Sequence, residues 1–359
     1  MELVERLFDG PLDIVGDVHG EYDAMMKLMA TLGYDKDGRH PYGRHLVFVG
    51  DLVDRGPDSV AVLRKVRELV LSGRALCVLG NHELNLLLGK EKPDNLWFTN
   101  PDKESEHPAT VIGEYERAKM LEFLESLPLV LERDDLRIVH ACWNTEAIYE
   151  LRKARFDDGC LVSLFSGYEN AIYDEIEASG LADRCVAEKK VYAKAVKDPE
   201  WEPKLLPAKA EIDERLTMEN PIKVVTSGEE RITSEPFWAG GKWRMVDRVT
   251  WWDDYEDDVP VIFGHYWRRF GEASKVIPGF GPDIFPNDDP GRWFGKRNNV
   301  YCIDFSVGAR PSLRAGKKNV NAGRLSALRF PECELVHDDG ERLVVMPPGD
   351  VASVRASVH

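Results

Sequence analysis

The chain has no excess of positive charge: 47 lysines and arginines stand against 63 aspartates and glutamates, a net −16 over 359 residues. That balance argues against a protein that coats nucleic acid or lies on an anionic membrane, although it leaves room for a small basic pocket. No apolar run reaches the length of a membrane span, and Met1-Glu2-Leu3-Val4-Glu5-Arg6 lacks a secretory h-region. The six cysteines (Cys77, Cys142, Cys160, Cys185, Cys302 and Cys333) show no Cys-x-x-Cys spacing. Reduced, buried thiols in a cytoplasmic protein are the expectation. No internal repeat is evident. A hydrophobic content of 43% is ordinary for a globular protein, and the length suffices for one large or two modest domains.

What the chain does have is a recurring strand ending. Leu12-Asp13-Ile14-Val15 runs into Gly16-Asp17-Val18-His19-Gly20, and His45-Leu46-Val47-Phe48-Val49 into Gly50-Asp51-Leu52-Val53-Asp54-Arg55-Gly56. Ala75-Leu76-Cys77-Val78-Leu79 runs into Gly80-Asn81-His82-Glu83. Two later apolar runs close on histidine, Ile138-Val139-His140 and Val261-Ile262-Phe263-Gly264-His265. A lone Asp-x-His is usually a turn, and a lone Gly-Asp often just caps an element. Several such ends in order, joined by helix-length spacers, are poorly explained by coincidence. In an open α/β sheet, groups just past the carboxyl ends of strands converge in one crevice. Asp, Asn and His gathered there suit a pair of divalent cations such as Mn, Fe or Zn.

The spacers support this layout. Met25, Leu28, Met29 and Leu32 share a helical face, as do Val62, Val66, Leu69 and Val70 after Pro57. A third helix is predicted from about Gly113 to Ser126, and a hairpin from Leu129–Glu132 and Leu136–Val139 around Arg133-Asp134-Asp135. Residues 145–246 break the rhythm with charged helical stretches, Tyr168 to Ser179 and Arg184 to Lys197, followed by Pro199, Pro203 and Pro207. They read as a largely helical, cap-like insertion within a single catalytic domain spanning 1–359. Lys189, Lys190, Lys194 and Lys197 read as a wet face, and most tryptophans as core or rim packing. Arg324 to Val345 reads as closing strands.

Together these motifs resemble the signature of calcineurin-like metallophosphoesterases. The Val-Asp-Arg-Gly ending, and the single histidine of Gly264-His265-Tyr266-Trp267 where other branches carry Gly-His-x-His, resemble the phosphoprotein phosphatase-type branch. That branch includes bacterial protein phosphatases and symmetrical diadenosine tetraphosphate hydrolases. The resemblance covers roughly residues 10–145 and 258–310. It implies an α/β fold, a two-sheet β-sandwich flanked by helices, and a binuclear metal site.

Residue by residue, Asp17 and His19 can turn toward one cation, and Asp51, with two oxygens to share, is the candidate bridge. Asn81, His140 and His265 would complete the ligand set of the second ion; a neutral Asn avoids over-neutralising a site meant to attract phosphate. Metals about 3.5–4 Å apart can acidify a water between them, and the hydroxide so formed attacks phosphorus in line. His82 is the natural proton donor to the leaving oxygen, with Asp54 holding the imidazole; by resemblance these two are the family's acid-supporting dyad. Arg55 offers a planar fork to phosphate. Glu83 is expected to hydrogen-bond locally, without a catalytic role. His40, His45, His107, His337 and His359 read as surface or structural.

One departure matters. Eukaryotic-type protein phosphatases of this kind carry a second phosphate-binding arginine before the last Gly-His strand, and Trp251-Trp252-Asp253-Asp254-Tyr255-Glu256-Asp257-Asp258 has none. Arg244 and Arg248 can substitute, with Arg268 or Arg269 as weaker candidates, and Arg292, Lys296 and Arg297 stand available near an entrance loop. The leading expectation is a cytoplasmic phosphoesterase with two divalent metal ions, Mn first and Fe or Zn as alternatives. Its substrate would be a phosphorylated protein of the serine/threonine type. A diadenosine polyphosphate or nucleotide hydrolase is the alternative within the enzyme class. A catalytically silent phosphoprotein- or nucleotide-binding module is the alternative outside it. Neither a membrane nor extended nucleic acid is expected as a partner.

Overall fold

In a computed structural model, which describes residues 2–100, 112–154, 160–192, 198–201, 204–239, 241–269, 284–285 and 289–349, the apolar runs form short strands. These are β1 (Val4–Arg6), β2 (Leu12–Val15), β3 (His45–Phe48), β4 (Ala75–Cys77), β5 (Val130–Arg133), β6 (Leu136–Val139), β7 (Glu230–Ala239), β8 (Lys242–Arg248), β9 (Val261–Phe263), β10 (Val300–Cys302), β11 (Ser326–Phe330), β12 (Glu334–His337) and β13 (Arg342–Val344). One sheet has the order β1-β5-β6-β9-β10, a second β13-β12-β11-β2-β3-β4, and β7 and β8 pair by themselves.

Side-chain alternation explains why the two larger sheets stack. Leu12, Ile14, Val47 and Val49 point inward to meet Leu131, Ile138, Ile262 and Tyr301 from the other sheet in one buried cluster. Their neighbours Val15, Leu46 and Phe48 point outward, against Met25, Leu28, Val62 and Leu63 of the helices Tyr22–Leu32 and Ser59–Leu71. The other sheet is covered in the same way: Val139, Val261 and Val300 share a cluster with Phe123 and Leu124 of the helix Glu114–Glu125. The result is an α/β two-sheet sandwich flanked by helices. The expected third helix, the β5–β6 hairpin and the closing strands β11–β13 are all present.

Residues 145–246 hold the helices Thr145–Lys153, Leu161–Ala178, Leu181–Tyr192, Pro207–Met218 and Pro221–Ser227, then the hairpin β7–β8. The first and last of these helices bury Ile148, Leu151, Ile222 and Val225 in the main core. Ile172, Ile176, Leu181, Cys185 and Ala208 form a separate small cluster. The hairpin is absent from the sequence reading. Glu230–Ala239 lacks clean alternation, contains Pro236 and carries an irregularity between Ile232 and Phe237, so its signal as a strand is weak. All six cysteines are free thiols, five of them buried. No helix among the described residues is long and apolar enough to cross a membrane. Lys194, Lys197, His107, His359 and most of the loop before Asp289 lie outside the described residues.

Ile14 is fully buried between the sheets. Ile14→Ala is expected to cost about 2–5 kcal/mol, measured by urea unfolding, as for other large-to-small changes in a close-packed core.

Candidate metal centre

The strands β2, β3 and β4 run parallel in one sheet, and β6, β9 and β10 in the other. Every expected ligand follows the carboxyl end of one of them. Asp17 and His19 follow β2, Asp51 follows β3, Asn81 follows β4, His140 follows β6 and His265 follows β9. The glycines before the ligands are there for room. At Gly50, whose φ is +96°, a Cβ would stand 2.7 Å from the Gly80 nitrogen and 2.9 Å from His140 Nδ1. A Cβ on Gly264 would collide with the Asp17 carboxylate. The backbone itself is strained: φ is positive at His19, Asp51, Asp54, Arg55 and His265. Such conformations cost about 1–3 kcal/mol each and persist where surrounding structure enforces them.

Glu83 supplies much of that enforcement. Its fully buried carboxylate accepts from the N–H groups of Asp51 (2.9 Å), Leu52 (2.8 Å), Val53 (3.2 Å) and Gly80 (3.1 Å). Its reach therefore goes well beyond the local hydrogen bonding expected from sequence. Burial beside Asp51 raises its pKa to about 7.

Asp51 sits between two groups of donors. Its Oδ2 lies 3.8 Å from His19 Nε2 and 3.9 Å from His82 Nε2, and its Oδ1 lies 3.3 Å from His140 Nε2. Asn81 Oδ1 is 3.2 Å from His140 Nε2 and 2.8 Å from His265 Nδ1. Asp17 is 3.9 Å from His19 Nε2 and accepts from the His265 N–H. The six expected ligands thus converge, with one oxygen of Asp51 turned toward each group. His19 Nδ1 and His140 Nδ1 face the carbonyls of Val53 (3.0 Å) and Val49 (2.7 Å). Donating there fixes each ring and leaves Nε2 free for a metal.

The charges fit cations. Asp17, Asp51 and Asp304 are buried together, and no lysine or arginine lies within 4.0 Å of them among the described residues. Burial, with Asp304 and Asp51 nearby, raises Asp17 well above the carboxylate range. Burial, opposed mainly by backbone hydrogen bonds from Trp267 and Ser306, raises Asp304 as well. Burial lowers His19 and His265, helped by Arg55 and Arg248 respectively, so both imidazoles are neutral and ready to ligate. His140 is raised to about 10, because the burial that would lower it is outweighed by the neighbouring Asp51 carboxylate. A donor set of carboxylates, neutral imidazoles and an amide oxygen suits Mn, Fe or Zn.

Beside the ligands, His82 Nδ1 is 2.7 Å from Asp54 Oδ2. Burial would lower the His82 pKa, but Asp51 and the Asp54 hydrogen bond raise it overall. The second Asp54 oxygen accepts from Trp97 Nε1 at 2.7 Å. Arg55 places Nη2 3.1 Å from His82 Nε2 and Nη1 3.4 Å from His19 Nε2, lies over the Trp267 ring, and approaches Asp94 at 3.7 Å.

The arginine candidates separate cleanly. Arg248 reaches the centre, its Nη2 3.5 Å from His265 Nε2 and its guanidinium over the Tyr266 ring. Arg244 lies about 13 Å back along β8, with Nε on the Ala239 carbonyl. Arg268 is fully buried and donates to the carbonyls of Cys302 and Asp289, which corrects its reading as a phosphate contact. Arg292, Lys296 and Arg297 are paired with Asp289, Glu256 and Asp258 and are not spare cations. Asp304 and Trp97 were missed. Asp304 had a signal, since it closes the apolar run Val300–Ile303 as the ligands close theirs. Trp97, 43 residues from Asp54, had none.

Residues 10–167 match the family model of the calcineurin-like phosphoesterases. The chain carries a calcineurin-like phosphoesterase domain. Among curated proteins, it is 55% identical over 73 residues to the asymmetrical bis(5'-nucleosyl)-tetraphosphatase PrpE of Halalkalibacterium halodurans, covering 20% of this chain and 30% of that one. It is 36% identical over 140 residues to the PrpE of a Geobacillus species, covering 36% of this chain and 56% of that one. A symmetrical bis(5'-nucleosyl)-tetraphosphatase of Aeromonas hydrophila is 34% identical over 141 residues, covering 39% and 47%. The matched region thus spans about a third to a half of the length of these relatives. The solved structure of the cold-active protein-tyrosine phosphatase of a psychrophilic Shewanella covers 96% of this chain and 83% of its own, with a TM-score of 0.47 at 16% identity.

Asp51→Asn removes the shared carboxylate charge between the two groups of donors. Bound metal, measured by elemental analysis, and activity on nitrophenyl phosphate are expected to fall together. A variant that binds two metals and turns over at the wild-type rate would remove Asp51 from the centre.

Proposed function

We propose that this chain is a two-metal phosphohydrolase acting on phosphoanhydrides of the dinucleoside polyphosphate type. The observation that carries the hydrolase reading is the convergence of six metal-ligand candidates on one rim, with the His82–Asp54 pair and Arg55 beside them. The names of the curated relatives support the substrate. Divalent cations bound by Asp17, His19, Asp51, Asn81, His140 and His265 would supply Lewis-acid polarisation and an acidified water. Around them, Arg55 and Arg248 bind the phosphoryl oxygens from two sides. The His82 imidazole, oriented through Nδ1 by Asp54, presents Nε2 to the leaving oxygen and protonates it. A binding module with no activity needs no such acid.

Phosphoserine or phosphothreonine in a protein, the substrate expected from sequence, becomes the second reading. The absence of an arginine in 251–258 weakens it. A Mn-loaded screen of diadenosine tetraphosphate, a phosphopeptide, and mono- and diester model substrates decides between them. Tetraphosphate hydrolysis as the fastest reaction is expected, and phosphopeptide as the preferred substrate would reverse the order.

The need for an acid rises as the leaving group becomes poorer. His82→Ala is expected to cost about 10²–10⁴-fold on an alkyl phosphate and clearly less on nitrophenyl phosphate, with metal content unchanged. Equal losses on both substrates would make His82 a phosphate contact instead. Trp97→Phe removes one hydrogen bond to the Asp54 carboxylate. It is expected to show the same selective pattern at about tenfold, and uniform loss on both substrates would reduce Trp97 to packing.

A further inference from the structure

We propose that Trp267 and Asp94 are positioning residues for Arg55: they hold its guanidinium with both terminal nitrogens turned to the place where the reacting phosphoryl group binds. This rests on the phosphohydrolase reading, in which Arg55 contacts the phosphoryl oxygens. A planar fork grips two oxygens of one phosphate only when its plane is fixed, and an unsupported arginine gives up rotamer freedom to reach that state. Arg55 is partly buried, and its contacts define the plane. Nη2 lies 3.1 Å from His82 Nε2 and Nη1 3.4 Å from His19 Nε2, so the open end of the fork faces the candidate acid and a candidate ligand. The flat face lies over the Trp267 ring, with Cζ 4.7 Å from its centroid. The Asp94 carboxylate approaches from behind, at Nε, at 3.7 Å. The ring resists tilting of the plane and the carboxylate resists rotation within it.

Both supports are themselves fixed. Trp267 follows β9 with φ at +56°, a left-handed conformation that is uncommon for a bulky side chain. Asp304 enforces it: one carboxylate oxygen accepts from the Trp267 N–H at 2.7 Å, the other from the Ser306 N–H at 2.8 Å. The indole packs against the small cluster of Ala309, Leu313 and Ala322. Between Ser306 and Ala309 lies Gly308, where a Cβ would stand 2.9 Å from Arg55 Nη1, so the segment that supports the ring also leaves the fork its space. Asp94 lies in the short turn Pro93–Asn95. The side chain of the fully buried Asn95 pins that turn, accepting from the Lys92 N–H at 2.8 Å and donating to the Lys90 carbonyl at 2.9 Å. Trp97, three residues after Asp94, is the donor to Asp54. One segment therefore supports both phosphate-facing groups, Trp97 through the acid pair and Asp94 through Arg55. A carboxylate so close to a phosphate site repels substrate, and holding Arg55 is what offsets that repulsion.

The test uses the full chain loaded with Mn, and titration calorimetry with orthophosphate. Trp267→Leu keeps apolar volume against the small cluster and removes the ring face. Its phosphate Kd is expected to rise about tenfold, while Trp267→Tyr, which restores a ring, stays within about threefold of the wild type. In an Arg55→Ala background, Trp267→Leu is expected to shift the Kd by less than about twofold, because the group it positions is gone. An equal rise in both backgrounds, no rise in either, or no phosphate binding by the wild type would overturn the positioning role. For Asp94→Asn the two accounts differ in sign: lost repulsion alone would tighten phosphate, whereas lost support weakens it, by about threefold. Unchanged or tighter binding would remove Asp94 from the support. Metal content and thermal melting identify any variant that has failed to fold, and should Trp267→Leu melt early, Trp267→Met carries the same expectation. Nitrophenyl phosphate hydrolysis by the wild type is read separately: its absence would sink the phosphohydrolase reading, while the phosphate titrations would still decide what holds Arg55.

Discussion

The carboxylate of Glu83 is the tie on which the centre depends. Four backbone N–H groups point into it, three from the loop after β3 and one from Gly80 at the start of the helix Asn81–Leu87. That one group holds the left-handed turn at Asp51 and binds it to the helix carrying Asn81 and His82. Asp51 Oδ1 completes the link by accepting from the His82 N–H at 3.0 Å. Candidate bridge, candidate ligand and candidate acid are thereby locked into one frame, and the strained φ values around them are tolerable because the frame is buried.

Within that frame, charge is arranged rather than merely present. Three carboxylates share a buried pocket and repel one another, while the imidazoles of His19 and His140 are oriented through Nδ1 by backbone carbonyls and not by further acids. A cation relieves the first condition and exploits the second. The acid pair is built differently. Asp54 is saturated by His82 on one oxygen and Trp97 on the other, so its charge is directed to one nitrogen.

The hairpin β7–β8 joins the centre to the rest of residues 145–246. One of its faces is anchored through Met245 to the helix Pro207–Met218, and the other carries arginine to His265. In our reading, the segment that interrupts the sandwich supplies substrate contacts, while the two stacked sheets supply the metal site.

How much of this was legible in sequence follows from how local each feature is. A parallel strand, a glycine and a ligand are contiguous, so Asp17, His19, Asp51, Asn81, His140 and His265 were visible as strand ends. The inward and outward faces of β2 and β3 were likewise written in their alternation. Asp304 obeyed the same rule and could have been found by it. Tertiary structure alone decided the rest, because those features join residues far apart in the chain. Trp97 meets Asp54 across 43 residues, and Glu83 reaches back more than 30 to close the Asp51 loop. Lys296 and Arg297 were spent on Glu256 and Asp258. Arg248, and not Arg268, arrived beside the candidate ligand His265 because an irregular hairpin with no clear sequence signal turned it there. Spacing along a strand shows which groups share a face; only packing between strands shows what each face meets.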